Sequence, residues 1–74
     1  MVKFEFLYKE GEEFFYEYYV EGHKDKESCG IVAIKKKKEG RIVELAQEDK
    51  FKNYAYHVIY GVDISQKQGT VAWY

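Results

Sequence analysis

The sequence is poor in the features that tie a short chain together by covalent or metal bonds. It has one cysteine and no proline in 74 residues, so no intramolecular disulfide can form. His23, Asp25, Cys29 and His57 match no spacing of a closed zinc site, and we expect neither a metal nor a cofactor. A lone free cysteine is typical of a reducing compartment, which predicts a cytoplasmic protein.

Long apolar runs and a large charge of one sign are also missing. The longest apolar runs, at 14–16 and 31–34, are far shorter than the ~20 residues of a membrane-spanning helix. The alternating start MVKFEFLYKE has no apolar segment of the kind that signal peptides carry. A net charge of −1 argues against a general binder of nucleic acids or anionic membranes. We therefore expect no membrane association.

Aromatic residues are abundant instead. The chain contains eight Tyr, five Phe and one Trp, and each large aromatic side chain buries about 150–250 Å². A chain of this length forms a single domain, residues 1–74, and buries only about 60% of the surface that it exposes when unfolded. Aromatic burial and dimerisation are two ways for such a small domain to gain stability.

One stretch, residues 51–62 (FKNYAYHVIYGV), has the apolar spacing of an amphipathic helix. The positions that share one face are Phe51, Tyr54, Ala55, Val58, Ile59 and Val62. The stretch Gln47-Glu48-Asp49 brings two acidic residues to the start of the helix, where they suit the positive end of its dipole. The helix ends at Gly61 or continues through Gln66, and the length of the pattern favours the longer form.

Residues 2–8 and 14–20 alternate between apolar and polar positions, which predicts a β-hairpin with its even-numbered side chains, including Tyr8, in the core. A three-residue loop pairs Phe6 with Phe14 and Phe4 with Tyr16. It also sets Lys3 opposite Glu17 and gives Gly11 a positive φ. A five-residue loop keeps the same parity, so both registers remain open.

A second hairpin is predicted from strands 31–38 and 41–46, with Glu39-Gly40 as its two-residue turn. The core residues of this register are Val32, Ile34, Val43 and Leu45, with Ile34 facing Leu45, Lys36 facing Val43 and Lys35 facing Glu44. Residues 22–30 read as a connection and 69–74 as a terminal strand. The element order β-β-β-β-α-β predicts an α+β two-layer sandwich, a mostly antiparallel sheet of about five strands with the helix on one face.

Apolar residues exceed what this core needs, and they fall in two groups. The outer face of the sheet carries Leu7, Phe15, Tyr19 and Ile42, and the back of the helix carries Tyr56, Tyr60 and, in the longer helix, Ile64. Contiguous exposed apolar patches tend to mark partner surfaces, and tyrosine is favoured at interfaces. We therefore predict a non-enzymatic protein–protein interaction module, in particular a homodimer.

Two other functions compete with this one. Phosphate contacts by Lys35, Lys36, Lys37, Lys38 and Arg41 would make a nucleic-acid-binding module, although residues 5–21 carry six Glu against one Lys and offer opposite charge nearby. An enzyme would need Cys29 or His57 in a pocket with a charged partner, for example Cys29 beside His23. No catalytic constellation is visible, so we predict no enzymatic activity.

Overall fold

A five-stranded antiparallel sheet with one helix on one face makes up the fold. This is a computed structural model that describes residues 1–36 and 38–72, apart from the side chain of Lys26. The elements in chain order are β1 (Val2–Glu10), β2 (Glu13–Val20), β3 (Cys29–Lys36), β4 (Glu39–Glu44), α1 (Asn53–Gly61) and β5 (Gln68–Val71), with a single 3-10 turn before β3. The spatial order of the strands is β4-β3-β2-β1-β5. The predicted fold class and element order are confirmed.

The core lies between α1 and the face of the sheet that we call the inner face. Side chains alternate across a strand, so every second residue of each strand contributes to it. The buried members on the sheet are Val2, Phe4, Tyr16, Tyr18, Val20, Val32 and Ile34. They pack against Ala55, Val58 and Ile59 of α1 and against Val62, the C-cap residue of the helix. The apolar stripe predicted from helical spacing is thus confirmed over its central and C-terminal part.

The helix is shorter than the one favoured by the length of the apolar pattern. It ends at Gly61, the nearer of the two predicted ends. The next N–H groups bond locally: that of Asp63 to Gln66 Oε1, that of Ser65 to Asp63 Oδ1, and that of Gln66 to the Asp63 carbonyl. The prediction of a longer helix is wrong, because the N–H groups that would continue the helix are bonded within this tight turn. Ile64 therefore lies outside the helix.

The helix begins with a cap supplied from outside its first turn. Lys52 occupies the N-cap with φ 63° and makes no side-chain cap bond. Asp49, which is buried, accepts hydrogen bonds from the backbone N–H groups of Tyr54 at 3.1 Å and Ala55 at 2.9 Å. The carboxylate thereby satisfies two N–H groups that a helix leaves unpaired. Phe51 precedes the helix and is 83% exposed, so its predicted place in the core is wrong.

The first hairpin changes register along its length. Phe6 pairs with Tyr16 and Phe4 with Tyr18, which is the register of the five-residue loop, so pairing Phe6 with Phe14 is wrong. A bulge at Leu7 then shifts the pairing by one residue and leaves a two-residue turn, residues 11–12. Gly11 has the predicted positive φ, 61°.

The bulge moves one aromatic residue to the opposite face of the sheet. Tyr8 pairs with Phe15 and therefore lies on the outer face, 49% exposed, instead of in the predicted core. A one-residue change of register reverses the side on which every following residue points. The predicted Lys3–Glu17 pair is also wrong, since Lys3 lies opposite Tyr19.

The second hairpin turns earlier than predicted. Gly40 lies inside β4 opposite Ile34, Lys36 already pairs with Glu39, and Lys38 has φ 64°. A Cβ atom on Gly40 would stand 3.2 Å from Cγ2 of Ile59 and 2.6 Å from the Ala33 carbonyl oxygen. The predicted Glu39-Gly40 turn is wrong because this glycine is needed where the helix approaches β4 closely.

This earlier turn exchanges the faces of β4. Ile42 pairs with Val32 and packs against the core, so its predicted place on the outer face is wrong. Val43 and Leu45, predicted in the core, are 43% and 38% exposed. The pairs predicted for the lysines are wrong as well, because Glu44 lies opposite Ile31 and Lys36 opposite Glu39.

The last strand lies at the edge of the sheet beside β1. It covers Gln68–Val71, and Val71 pairs with Val2. Trp73 and Tyr74, the end of the predicted terminal strand, lie outside the described residues. Across residues 1–36 and 38–72, no helix has the length and apolar character needed to cross a membrane.

Candidate interaction site

Two tyrosines occupy the outward face of α1. Tyr56 and Tyr60 are one helical turn apart, and their rings stack with centroids 6.0 Å apart and planes 15° from parallel. They are 41% and 56% exposed. Ile64, which the longer helix would have added, packs partly buried against the core. The predicted stripe on the back of the helix is therefore reduced to this stacked pair.

Phe51 is a second exposed aromatic feature near α1 and lies one residue before Lys52, the N-cap of the helix. At 83% exposure, Phe51 covers little of this chain's own surface. Helical spacing placed Phe51 in the core because it treated Lys52 as helical. The left-handed backbone of Lys52 interrupts that spacing.

A pocket of about 350 Å³ opens at the other end of α1, lined by residues 60–64. Tyr60 belongs both to this pocket and to the stacked pair. Asp63 is exposed on its rim, and its Oδ1 accepts the Ser65 N–H at 3.0 Å. The last turn of α1 has no basic residue. The negative end of the helix dipole and Asp63 thus reinforce each other here.

The charge at the beginning of α1 is of the opposite sign. The first turn contains no acidic residue, and Lys50 and Lys52 precede it with exposed side chains. Asp49, the nearest carboxylate, is buried against the backbone of the helix. The exposed surface along α1 is therefore basic at one end, aromatic in the middle and acidic at the other end.

The outer face of the sheet is covered by its own side chains. Phe15 and Tyr19, predicted for a partner surface, are 6% and 4% exposed. Tyr8 stacks on Phe15 with ring centroids 4.7 Å apart, and the Arg41 guanidinium lies 5.9 Å from the same ring. Of the predicted outer-face group only Leu7 is exposed, at 41%. The predicted group of four apolar residues is therefore not exposed as a whole, although Tyr8 is 49% exposed on the same face.

Two carboxylates on the outer face share one tyrosine. Glu5 and Glu17 lie directly opposite each other, and the Tyr19 hydroxyl is 3.2 Å from the first and 2.7 Å from the second. Lys24 donates to Glu5 at 3.0 Å, and this bond is the main reason that the pKa of the Glu5 carboxyl is lowered. Burial, followed by Glu17, raises the pKa of the Tyr19 hydroxyl. Both carboxylates are thus hydrogen-bonded within the chain.

The basic hairpin is likewise compensated by carboxylates. Its cations form the pairs Arg41–Glu13 at 2.9 Å, Lys35–Glu12 at 3.5 Å and Lys36–Glu39 at 3.4 Å. Lys38 is exposed, and Lys37 lies outside the described residues. Phosphate contacts at this hairpin would have to compete with these ion pairs.

The environment of Cys29, the candidate nucleophile, does not activate its thiol. Cys29 is half-buried at the start of β3, and the pocket beside it, of about 280 Å³, is lined also by Glu27, Glu44, Leu45 and Gln47. Burial raises the pKa of the Cys29 thiol, which is the opposite of what activates a nucleophile. His57 is half-buried on the flank of α1. In the described part of the chain, no three His, Cys, Asp or Glu residues group as metal ligands would.

The outward face of α1 thus carries a stacked pair of exposed tyrosines, with exposed lysines before the start of the helix and an exposed aspartate after its end. Comparisons of this chain with protein-family models, with curated proteins and with solved structures found no match.

Proposed function

We propose that this protein is a non-enzymatic interaction module that forms a homodimer through the outward face of α1. The stacked, exposed pair Tyr56–Tyr60 is the observation that carries this function. A tyrosine offers a large apolar ring and a polar hydroxyl at a low cost in side-chain entropy, which is why tyrosine is enriched in interfaces. A cytoplasmic location suits the single free thiol of Cys29.

Contacts within the chain already occupy side chains on the outer face of the sheet and at the basic hairpin, which supports the same choice. On the outer face of the sheet, the Phe15 ring is covered by Tyr8 and Arg41, and the Glu5 carboxylate accepts a hydrogen bond from Lys24. The ion pairs of the basic hairpin weaken the case for nucleic-acid binding. Phosphate contacts gain free energy when lysine and arginine side chains displace counterions from the nucleic acid, and these side chains are already paired with carboxylates. No specific observation favours that second function.

Light scattering coupled to size-exclusion chromatography tests the proposal. The measured mass is expected to rise from that of the 8.8 kDa chain toward twice that mass as the concentration increases. Tyr60→Asp should return the protein to the monomer mass, since it puts a charge in the aromatic contact. Tyr8→Asp, at another exposed tyrosine, is the matched control and should leave association unchanged. A clean monomer at all concentrations would contradict the proposal.

A further inference from the structure

We infer that a pocket near the turns of the two hairpins binds a small molecule in which a planar ring carries a phosphate group. The ring would lie on Phe14 and the phosphate between the ammonium groups of Lys9 and Lys36. The pocket measures about 440 Å³ and is lined by Lys9, Glu12, Phe14, Lys35, Lys36 and Glu39. None of these residues belongs to α1, so the inference goes beyond the proposed function and does not depend on it.

Two shifts in strand pairing bring these side chains to one place. Without the bulge in β1, Tyr8 would pair with Phe14, and with the bulge Lys9 takes that position. A second shift in β3 lies just before Lys36, which pairs with Glu39. Because β2 lies between β1 and β3, the two lysines belong to the strands on either side of Phe14. Bulges redirect side chains and are frequent beside functional sites.

Phe14 supplies the apolar part of the pocket. Its ring is half-buried beside the Phe6 ring, with centroids 6.3 Å apart. Lys9 Nζ lies 5.3 Å from the Phe14 centroid, which is a cation–π contact. Aromatic rings associate in offset-stacked or edge-to-face arrangements. The open part of Phe14 therefore suits a second planar ring, next to an ammonium group that suits an anion.

Positive charge predominates in the pocket, which has three lysines and two glutamates. The pairs Lys35–Glu12 and Lys36–Glu39 are exposed, with N–O distances of 3.5 Å and 3.4 Å. Exposed pairs of this kind contribute little free energy, so an anion replaces their carboxylates at a low cost. Within the described part of the chain, Lys9 forms no ion pair at all. Lysine binds phosphate as a point charge, and a single phosphate needs only two such groups.

Titration with phenyl phosphate, followed by heteronuclear NMR spectra of the wild-type protein, tests the site. The amide resonances of Lys9, Phe14 and Lys36 should shift. We expect a dissociation constant of about 1–10 mM, as is typical of a ligand with about eleven non-hydrogen atoms. Inorganic phosphate supplies the charge without the ring and should bind at least about fivefold more weakly.

Lys9→Gln removes one ammonium group at an exposed position and should weaken the binding of phenyl phosphate about threefold or more. Lys50→Gln, at an exposed lysine outside the pocket, is the matched control and should leave the binding unchanged. Phe14→Leu keeps an apolar side chain but removes the ring, so phenyl phosphate should lose its advantage over inorganic phosphate. Urea unfolding shows whether each variant is folded.

Three results would overturn the inference. The first is the absence of amide shifts with phenyl phosphate up to about 50 mM. The second is equal binding of phenyl phosphate and inorganic phosphate by the wild type, because the ring then contributes nothing. The third is an equal loss in Lys9→Gln and Lys50→Gln, because binding then follows only the total charge of the protein. If Phe14→Leu does not fold, these three results still decide.

Discussion

The Tyr18 hydroxyl and the Asp49 carboxylate form a buried hydrogen bond of 3.1 Å between residues 31 positions apart in sequence. The same hydroxyl accepts the Ala46 N–H at 3.0 Å. Asp49 in turn holds the first N–H groups of α1. The centre of the sheet is thereby connected to the start of α1, which positions the helix that carries Tyr56 and Tyr60.

Tyr18→Phe is expected to destabilise the protein by about 1–3 kcal/mol. The substitution removes one buried hydrogen bond to Asp49 and leaves the Ala46 N–H without its acceptor. Urea unfolding at neutral pH, followed by circular dichroism, measures the change.

Tyr8→Phe is the matched control, and its effect should stay within about 0.5 kcal/mol because Tyr8 is exposed. A cycle with Asp49→Asn should show that the two losses are not additive, since both residues belong to one network. Simple additivity would contradict a direct role for the Tyr18–Asp49 bond.

Gly30→Ala should also disrupt the connection that Tyr18 and Asp49 make between the sheet and the helix. Gly30 lies opposite Tyr18, and a Cβ atom there would stand 2.5 Å from Cζ and 2.6 Å from the hydroxyl oxygen of Tyr18. Forcing the ring away is expected to cost about 1–3 kcal/mol and to shift the amide resonances of Tyr54 and Ala55. Urea unfolding and heteronuclear NMR spectra measure the two effects.

Gly11→Ala is the comparison for that substitution. A Cβ atom on Gly11 would meet nothing within 4 Å, so its cost should be limited to the positive φ, about 1–2 kcal/mol. It should leave the amide resonances of α1 unchanged. If Gly30→Ala also leaves them unchanged, the Tyr18 ring does not pack over Gly30.

The ion pair between Arg41 and Glu13 predicts a pH dependence. Hydrogen bonds from Arg41 hold the pKa of the Glu13 carboxyl below its ordinary value. A carboxyl whose folded pKa is lowered stabilises the fold above the unfolded pKa of about 4.3, and this contribution is lost as the pH falls through the folded value. The stabilities of wild type and Arg41→Met should therefore differ at neutral pH and converge in acid.

NMR titration of the Glu13 carboxyl carbon checks the cause. Its pKa should return toward the ordinary value in Arg41→Met, which keeps an apolar stem over Phe15. Glu21 serves as the internal control, because its pKa is lowered by the Tyr54 hydroxyl and the N-terminus and should not change. An ordinary pKa for Glu13 in the wild type would contradict the prediction.

Apolar spacing predicted the buried stripe Ala55, Val58 and Ile59 correctly because those positions depend only on helical periodicity. The exposure of Tyr56 and Tyr60 follows from the same periodicity, so this part of the candidate site could be predicted from the sequence. Phe51 and the pocket could not be predicted in this way, because apolar spacing carries no signal for the left-handed backbone of Lys52 or for the turn after Gly61.

The order and type of the elements could be predicted from the residues, since alternation and helical spacing are local properties of the chain. Tertiary structure alone decided which face several of those residues occupy. The bulge at Leu7 moves Tyr8 to the outer face, and the approach of Ile59 to Gly40 moves Ile42 into the core. Side chains in a strand repeat every two residues, so a shift of one residue exchanges the faces, and packing against the helix selects between them.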